Sequence, residues 1–134
     1  DFAARLSSPL AIIEKRRSDN SGNVELLNVI GDVNGKTALT FDDEIDTGGS
    51  LVQAIGALTA SGVNEVYSCA THGIFSGNAI EKLSSIEILK EIVVTDTVRQ
   101  KEGNGKIKYL SISSLVAEAI SRIQSGRSVG ELFK

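Results

Sequence analysis

The sequence TALTFDDEIDTGGSLVQAIGAL, residues 37–58, joins an apolar segment, an acidic run, a glycine pair and an amphipathic segment. The continuous apolar character of Thr37 to Phe41 predicts a buried strand of a parallel sheet. From Leu51 onwards apolar residues recur at helical spacing, which predicts a helix that Gly62 ends. A strand that passes through a glycine turn into a helix is the unit from which open α/β sheets are built.

The loop between this strand and this helix has the chemistry of a site for a phosphorylated sugar. Gly48 and Gly49 let the backbone approach a phosphate closely, and backbone N–H groups can donate to it beside the partly positive helix N-terminus. Thr47 and Ser50 can add hydroxyl donors. Asp46 lies beside that anion, so we expect it to turn away and either cap the loop amides or meet the sugar.

Two further carboxylates, Asp42 and Asp43, precede the loop. Ionised carboxylates accept hydrogen bonds from the vicinal hydroxyls of a sugar, or hold a hard cation such as Mg²⁺, and a ribose phosphate presents both needs. The common nucleotide-binding motifs are missing, because the sequence contains neither GxxxxGK[ST] nor GxGxxG after a strand. The loop is therefore not predicted to be a Walker or a Rossmann site.

The rest of the chain alternates strand-like and helix-like segments. This alternation predicts one domain with an open, mostly parallel α/β sheet and helices on both faces. Residues 1–6 resemble the last turns of a helix without its beginning, so we expect a chain truncated at its N-terminus. Residues 18–23, SDNSGN, have the composition of a mobile loop. The predicted strands are Leu10 to Ile13, Val24 to Ile30, Thr37 to Phe41, Glu65 to Thr71, Glu91 to Thr95 and Ile107 to Ile112. The predicted later helices are Ala79 to Leu83 and Leu115 to Ile123, with a turn at Lys101 to Lys106 and one more helical turn within Ser128 to Lys134.

Composition limits the class of partner. With 14 Lys and Arg against 17 Asp and Glu, the net charge is −3 over 134 residues, and such a chain is not expected to bind nucleic acid. No segment approaches the roughly 20 apolar residues that span a bilayer, so no membrane partner is expected. One cysteine and one histidine can form neither a disulfide within the chain nor a zinc site. These features predict a cytoplasmic protein.

Ligands of open α/β sheets bind beyond the carboxyl ends of the strands. Three clusters follow predicted strands: Lys15 to Arg17, Asp42 to Ser50, and Thr71-His72. Taken alone, the first is more consistent with a solvated charge run than with a site. We interpret His72 as structural in preference to a catalytic base. Cys69 is expected in the core, and Asp32 is expected to be a turn residue.

The motifs taken together resemble a known family. The run DDxxDTGG[ST] is similar to the phosphoribosyl pyrophosphate (PRPP) loop of phosphoribosyltransferases and ribose-phosphate pyrophosphokinases. Residues 9–17 (PLAIIEKRR), 30–33 (IGDV), 70–77 (ATHGIFSG) and the tail 128–133 (SVGELF) resemble segments of the second family in the same order. The resemblance implies a phosphoribosyltransferase-like domain that forms the C-terminal part of a longer, two-domain enzyme.

That resemblance also implies a reaction and its residues. Ribose-phosphate pyrophosphokinases transfer pyrophosphate from Mg-ATP to the anomeric hydroxyl of ribose 5-phosphate, giving PRPP and AMP for nucleotide biosynthesis. Lys15 and Arg17 match the catalytic pair, and Arg17 also matches a ribose 5-phosphate ligand. Asp42 and Asp43 match the acids that hold the ribose hydroxyls or Mg²⁺. The remaining ribose 5-phosphate ligands are implied to be Asp46, Thr47, Gly48, Gly49 and Ser50.

The family pattern further implies a homo-oligomer. It also implies that a chain of this length is inactive alone, because the other part of the enzyme supplies much of the ATP and metal site. Two alternatives remain open at the level of sequence. A phosphoribosyltransferase that uses PRPP would share the loop. A non-catalytic regulatory homologue would bind the sugar phosphate and assemble with active subunits.

Overall fold

The computed structural model describes residues 2–17, 25–99 and 105–133, without the side chains of residues 15–17, 25 and 26. Its strands are β1 (Ile12–Arg17), β2 (Glu25–Ile30), β3 (Thr37–Ile45), β4 (Glu65–Gly73), β5 (Leu89–Thr95) and β6 (Ile107–Leu110). Its helices are α1 (Phe2–Arg5), α2 (Gly49–Ala60), α3 (Ala79–Ser84) and α4 (Ser113–Gln124), followed by a 3-10 turn at Val129–Phe133. The loop expected at residues 18–23, the first residue of the strand expected from Val24, and most of the turn expected at residues 101–106 lie outside the described residues.

Four strands form one parallel sheet in the order β3-β4-β5-β6. Helices α2 and α3 connect the first three of these strands, as parallel neighbours require. The buried core lies between this sheet and the connecting helices, and includes Leu51, Ile55 and Leu58 of α2 with Leu83 of α3. The predicted α/β class, with an open parallel sheet flanked by helices, is confirmed.

Strands β1 and β2 form a separate antiparallel sheet, with Ile12 opposite Ile30 and Arg17 opposite Glu25. We expected the first strand at Leu10 to Ile13, with the basic residues after it. The strand instead runs from Ile12 through Arg17, because pairing with β2 continues along the basic segment. This hairpin is attached to the main sheet by contacts of β2 with α2 and by the packing of Ile13 against the core.

The strand β3 differs from its prediction in a way that affects the site. We expected it to end at Phe41, but it continues to Ile45 because β4 pairs with it as far as Ile45 opposite Gly73. The acids at positions 42–44 therefore lie within the strand and not in a loop after it. Smaller differences are an earlier start of β5, at Leu89, and an earlier end of β6, at Leu110.

The edge of β3 that faces away from β4 pairs with no other strand in the described part of the chain. A groove of about 670 Å³ runs along it, between β3 and the segment that leads into β1. The rings of Phe2 and Phe41 stack across this region with their centroids 4.0 Å apart. Within the three described ranges, every helix is too short or too polar to cross a lipid bilayer.

The C-terminal elements confirm the final predicted helix and the extra turn after it. Arg122 on α4 donates from Nε to Glu118 Oε1 at 2.7 Å and from Nη1 to Glu131 Oε2 at 2.8 Å. Because Glu131 lies in the 3-10 turn, the second of these bonds ties that turn to α4.

Candidate functional site

A cavity of about 400 Å³ lies at the carboxyl end of β3. Ile13 of β1 contributes to its wall, and Ser68 of β4 contributes a buried hydroxyl that accepts a hydrogen bond from Thr40 Oγ1 at 3.0 Å. The wall is formed mainly by residues 40–51. All seven predicted residues of this region line this one cavity: Asp42, Asp43, Asp46, Thr47, Gly48, Gly49 and Ser50.

The two glycines of the loop have different structural roles. Gly48 is the N-cap of α2 and has a φ of +72°, a left-handed conformation that favours glycine. A Cβ atom at Gly48 would lie 3.2 Å from the Leu83 side chain. Gly49 is the first residue of α2, and the nearest atom to its Cβ position is Thr47 Oγ1 at 3.6 Å. The backbone conformation therefore requires glycine at position 48, whereas at position 49 glycine leaves space inside the cavity.

A segment after β4 holds the beginning of the loop. The N–H groups of Ile74 and Phe75 both donate to the Ile45 carbonyl at 3.0 Å, and Ser76 N–H donates to the Asp46 carbonyl at 3.0 Å. Phe75 is almost fully buried and has a φ of +49°, which is unusual for a residue with a side chain. This strained, buried turn therefore fixes the backbone at the entrance to the glycine loop.

The carboxyl groups of Asp42 and Asp43, which are adjacent in β3, contact each other through a hydrogen bond. Burial raises the pKa of Asp42, and a hydrogen bond between the two carboxyl groups raises it further. The same bond lowers the pKa of Asp43, which also accepts the Glu44 amide N–H at 2.9 Å. The opposite directions of the two pKa shifts thus follow mainly from burial of Asp42 and from the contact between the two carboxyl groups. A ligand that offers positive charge or hydrogen-bond donors would reduce the repulsion between the two carboxylates.

The carboxylate of Asp46 was expected to cap the loop amides or to meet the sugar. The N-cap of α2 is Gly48, and the exposed Asp46 has no hydrogen bond to a loop amide among the contacts of the described residues, so the ligand alternative stays the prediction for its carboxylate. The backbone carbonyl of Asp46 accepts the hydrogen bond from Ser76 N–H described above. Its carboxylate remains available to a ligand in the cavity.

His72 belongs to a hydrogen-bonded group at the ends of β4 and β5. Its Nδ1 lies 2.8 Å from Thr97 Oγ1. The hydroxyls of Thr95 and Thr97 donate to the Thr71 carbonyl at 2.6 and 3.1 Å. This network agrees with the interpretation of His72 as a structural residue.

Two other residues with possible chemistry have structural surroundings. Cys69 is half-buried, and burial together with the nearby Glu91 carboxylate raises the pKa of its thiol, which makes it a poor nucleophile. Asp32 is exposed and accepts a bond from Lys36 Nζ at 2.8 Å, which lowers its pKa. Asp32 agrees with its interpretation as a turn residue, whereas the expectation that Cys69 lies in the core is wrong, because Cys69 alternates along β4 with the buried Ser68 and Ala70 and is itself only half-buried.

Comparison with known proteins identifies the family. Residues 20–134 match the family described as Phosphoribosyl synthetase-associated domain. The chain is 52% identical over 134 residues to the ribose-phosphate pyrophosphokinase of Caldanaerobacter subterraneus subsp. tengcongensis, and 47% identical to that of Bacillus caldolyticus. Each alignment covers 98% of this chain and 42% of the relative. The chain belongs to the ribose-phosphate pyrophosphokinase family.

The fold leads to the same family. The crystal structure of phosphoribosylpyrophosphate synthetase from Mycobacterium smegmatis matches with a TM-score of 0.83 and 35% sequence identity, covering 93% of this chain and 40% of that chain. The chain thus spans about two fifths of the length of its ribose-phosphate pyrophosphokinase relatives. The resemblance stated from the sequence motifs is confirmed at the level of the family. Its placement in the C-terminal part of a longer enzyme stays a prediction.

The structure brings together some of the residues that the family resemblance singled out and leaves others undescribed. Lys15 and Arg17 lie on β1, whose Ile13 reaches the cavity, but their side chains fall outside the described part of the chain. Sequence reasoning missed Lys82 on α3, whose Nζ donates to the Thr47 carbonyl at 3.2 Å. It also missed that residues 74–76 hold the loop, although the ATHGIFSG motif marked that segment as important.

Proposed function

We propose that this chain holds the ribose 5-phosphate half of a ribose-phosphate diphosphokinase site. The observation that carries the proposal is a single cavity that combines a glycine loop at a helix N-terminus with an acidic pair in the last half of the preceding strand, β3. Backbone N–H groups at a helix N-terminus suit a phosphate, and a carboxylate pair suits vicinal hydroxyls. The two ends of ribose 5-phosphate present these two chemistries.

In the proposed complex, the 5-phosphate lies against residues 47–50 and the ribose extends towards the strand end. Thr47 and Ser50 are exposed at the loop, where their hydroxyls can donate to phosphate oxygens. Asp42 and Asp43 accept the ribose hydroxyls, and Asp46 lies between the two groups. This arrangement fixes the sugar and leaves its anomeric hydroxyl directed away from the phosphate loop.

The acidic pair is also the proposed position of Mg²⁺. Mg²⁺ in proteins is commonly held by one or two carboxylates, with substrate oxygens and water completing its coordination. Asp42 and Asp43 fit that requirement, since both carboxylates line the cavity next to the glycine loop. A bound Mg²⁺ would neutralise charge on the transferring phosphoryl groups.

The proposed reaction transfers a pyrophosphoryl group. The anomeric hydroxyl oxygen attacks the β-phosphorus of ATP, and the bond from that phosphorus to the oxygen bridging it to the α-phosphorus breaks. AMP leaves with that oxygen, and the hydroxyl proton is lost, giving PRPP. Lys15 and Arg17 are proposed to neutralise the charge that develops on the transferring group, because such transfer depends mainly on positioning and electrostatics.

The proposal assigns most of the ATP site to a part of the enzyme that lies outside these 134 residues, in keeping with the 42% coverage of the relatives. A homo-oligomeric, cytoplasmic enzyme is part of the same proposal. The exposed apolar side chains on α4, Leu115, Ile120 and Ile123, supply a surface suitable for such assembly or for contact with the rest of the enzyme.

Ligand discrimination by the 134-residue chain tests this assignment. Titration calorimetry should show saturable binding of ribose 5-phosphate, much weaker binding of ribose, and little binding of ATP. No AMP should form when the chain is mixed with Mg-ATP and ribose 5-phosphate. Binding of ATP as tight as that of ribose 5-phosphate would contradict the half-site. Preferred binding of PRPP with consumption of a purine or pyrimidine base would favour the phosphoribosyltransferase alternative.

A further inference from the structure

Helix α3 packs against the back of the glycine loop through two successive residues. The Lys82 Nζ atom donates to the Thr47 carbonyl at 3.2 Å, across 35 positions of sequence. The next residue, Leu83, is fully buried and lies against the position that a Cβ of Gly48 would occupy. Lys82 is half-buried as a residue, and its hydrogen bond to the Thr47 carbonyl keeps its ammonium group beside the loop.

The bond from Lys82 acts on the peptide unit that carries the Gly48 N–H. The Thr47 carbonyl and the Gly48 N–H belong to one planar trans peptide and therefore point in opposite directions. Glycine can adopt either sign of φ at little cost, so the residue type at position 48 does not by itself fix the orientation of this peptide. A cation that holds the carbonyl on the α3 side therefore directs the Gly48 N–H away from α3 and strengthens it as a donor.

The charges around the cavity give this lysine a second effect. Among the described residues that line the cavity, four are acids, namely Asp42, Asp43, Glu44 and Asp46, and none is basic. A phosphate monoester carries about two negative charges at neutral pH. The ammonium group of Lys82, bonded to the loop backbone, offsets part of the resulting repulsion.

We propose that Lys82 is a positioning residue for the phosphate of the ligand: it fixes the Thr47–Gly48 peptide with the Gly48 N–H directed into the cavity. It acts through the loop backbone and need not touch the substrate. The inference rests on the proposed function for the identity of the ligand. The orientation of the peptide is a property of the ligand-free protein and can be measured independently.

Two variants of Lys82 test the role. Lys82→Met keeps most of the aliphatic stem and removes the charge and the donor, whereas Lys82→Arg keeps both. Lys106→Met is a matched control, because Lys106 is also half-buried and donates from Nζ to a backbone carbonyl, that of Ile86 at 2.7 Å, outside the cavity lining. The measurements are calorimetric binding of ribose 5-phosphate and of ribose, and the ¹⁵N shift and hydrogen exchange of the Gly48 amide without ligand.

The expected result is a ribose 5-phosphate Kd about tenfold weaker in Lys82→Met, as for the loss of one charge-assisted contact. Ribose binding should not change, and Lys82→Arg and Lys106→Met should remain within about twofold of the parent chain. The Gly48 amide should shift and exchange faster in Lys82→Met only. An unchanged Kd with an unchanged Gly48 amide, or an equal loss of ribose binding, would overturn the role. If the parent chain binds no ribose 5-phosphate, the proposed function fails, and the Gly48 amide still decides whether Lys82 holds the peptide.

Discussion

Replacement of Gly49 by alanine separates the ligand-binding role of the loop from its folding role. Gly49 begins α2 in an ordinary helical conformation, and its Cβ position meets only Thr47 Oγ1, at 3.6 Å, an ordinary contact distance. The fold should therefore accept the methyl group. Alanine is favoured over glycine in helices by up to about 1 kcal/mol, so the free energy of unfolding should stay constant or rise slightly.

The substitution should instead weaken the binding of the phosphate group. The new methyl group would lie inside the cavity against the Thr47 hydroxyl, where the phosphate is proposed to approach. Loss of one hydrogen bond to a charged group is worth about 1.5–3 kcal/mol. The Kd for ribose 5-phosphate should therefore weaken by about 10- to 150-fold.

Titration calorimetry with ribose 5-phosphate, alongside urea denaturation, measures both effects of Gly49→Ala. The matched control is Gly56→Ala in the same helix, because Gly56 is exposed, lies outside the cavity lining and has no atom within 4 Å of its Cβ position. Gly56→Ala should stabilise the chain by up to about 1 kcal/mol and leave binding unchanged. A Gly49→Ala chain that is fully folded and binds ribose 5-phosphate within twofold of the parent would refute the placement of the phosphate.

Two further predictions concern stability. Gly73→Ala should lower the free energy of unfolding by about 1–3 kcal/mol, because its Cβ would lie 2.6 Å from the buried Phe75 ring and 2.8 Å from Val94. Urea denaturation measures this change. A free energy of unfolding within about 0.5 kcal/mol of the parent, roughly the scatter of neutral substitutions, would contradict this packing. The raised pKa of Asp42 means that its protonated form stabilises the fold below the ordinary value of 3.8, and that this stability is lost as pH rises through the folded pKa. Asp42→Asn should therefore gain stability relative to the parent as pH rises above that pKa, while it weakens Mg²⁺ and ribose 5-phosphate binding. A stability difference that stays constant from pH 3 to pH 7 would contradict the raised pKa.

Much of the fold could be predicted from local patterns. The apolar strand Thr37 to Phe41 and the helical repeat from Leu51 are each read within a short stretch, and both elements are found. The extension of β3 to Ile45 was missed because acids are unfavourable in strands by propensity. Pairing with β4 as far as Gly73 outweighs that propensity, and such pairing is set by the whole sheet.

The candidate site likewise contains residues that local patterns predict and residues that they do not. The ligands expected at positions 42–50 are contiguous, so one strand end and one helix start bring them to the same cavity without help from distant residues. The residues that hold this loop, Ser76 and Lys82, are 30 or more positions further along the chain. The contact of Lys82 depends on how α3 packs, and that of Ser76 depends on the turn after β4; no local pattern specifies either. The sequence signal that could have indicated Lys82 was the presence of a basic residue shortly after the ATHGIFSG segment.

The central claim is that residues 46–50 bind the phosphate of ribose 5-phosphate, and amide mapping tests it most directly. In a ¹H–¹⁵N titration of the 134-residue chain with ribose 5-phosphate, the largest saturable shifts should be those of the amides of Thr47, Gly48, Gly49 and Ser50, with smaller shifts at Asp42 and Asp43. Ribose without the phosphate should leave the four loop amides unshifted. Saturable binding whose largest shifts lie elsewhere, or equal loop shifts with ribose, would contradict the account.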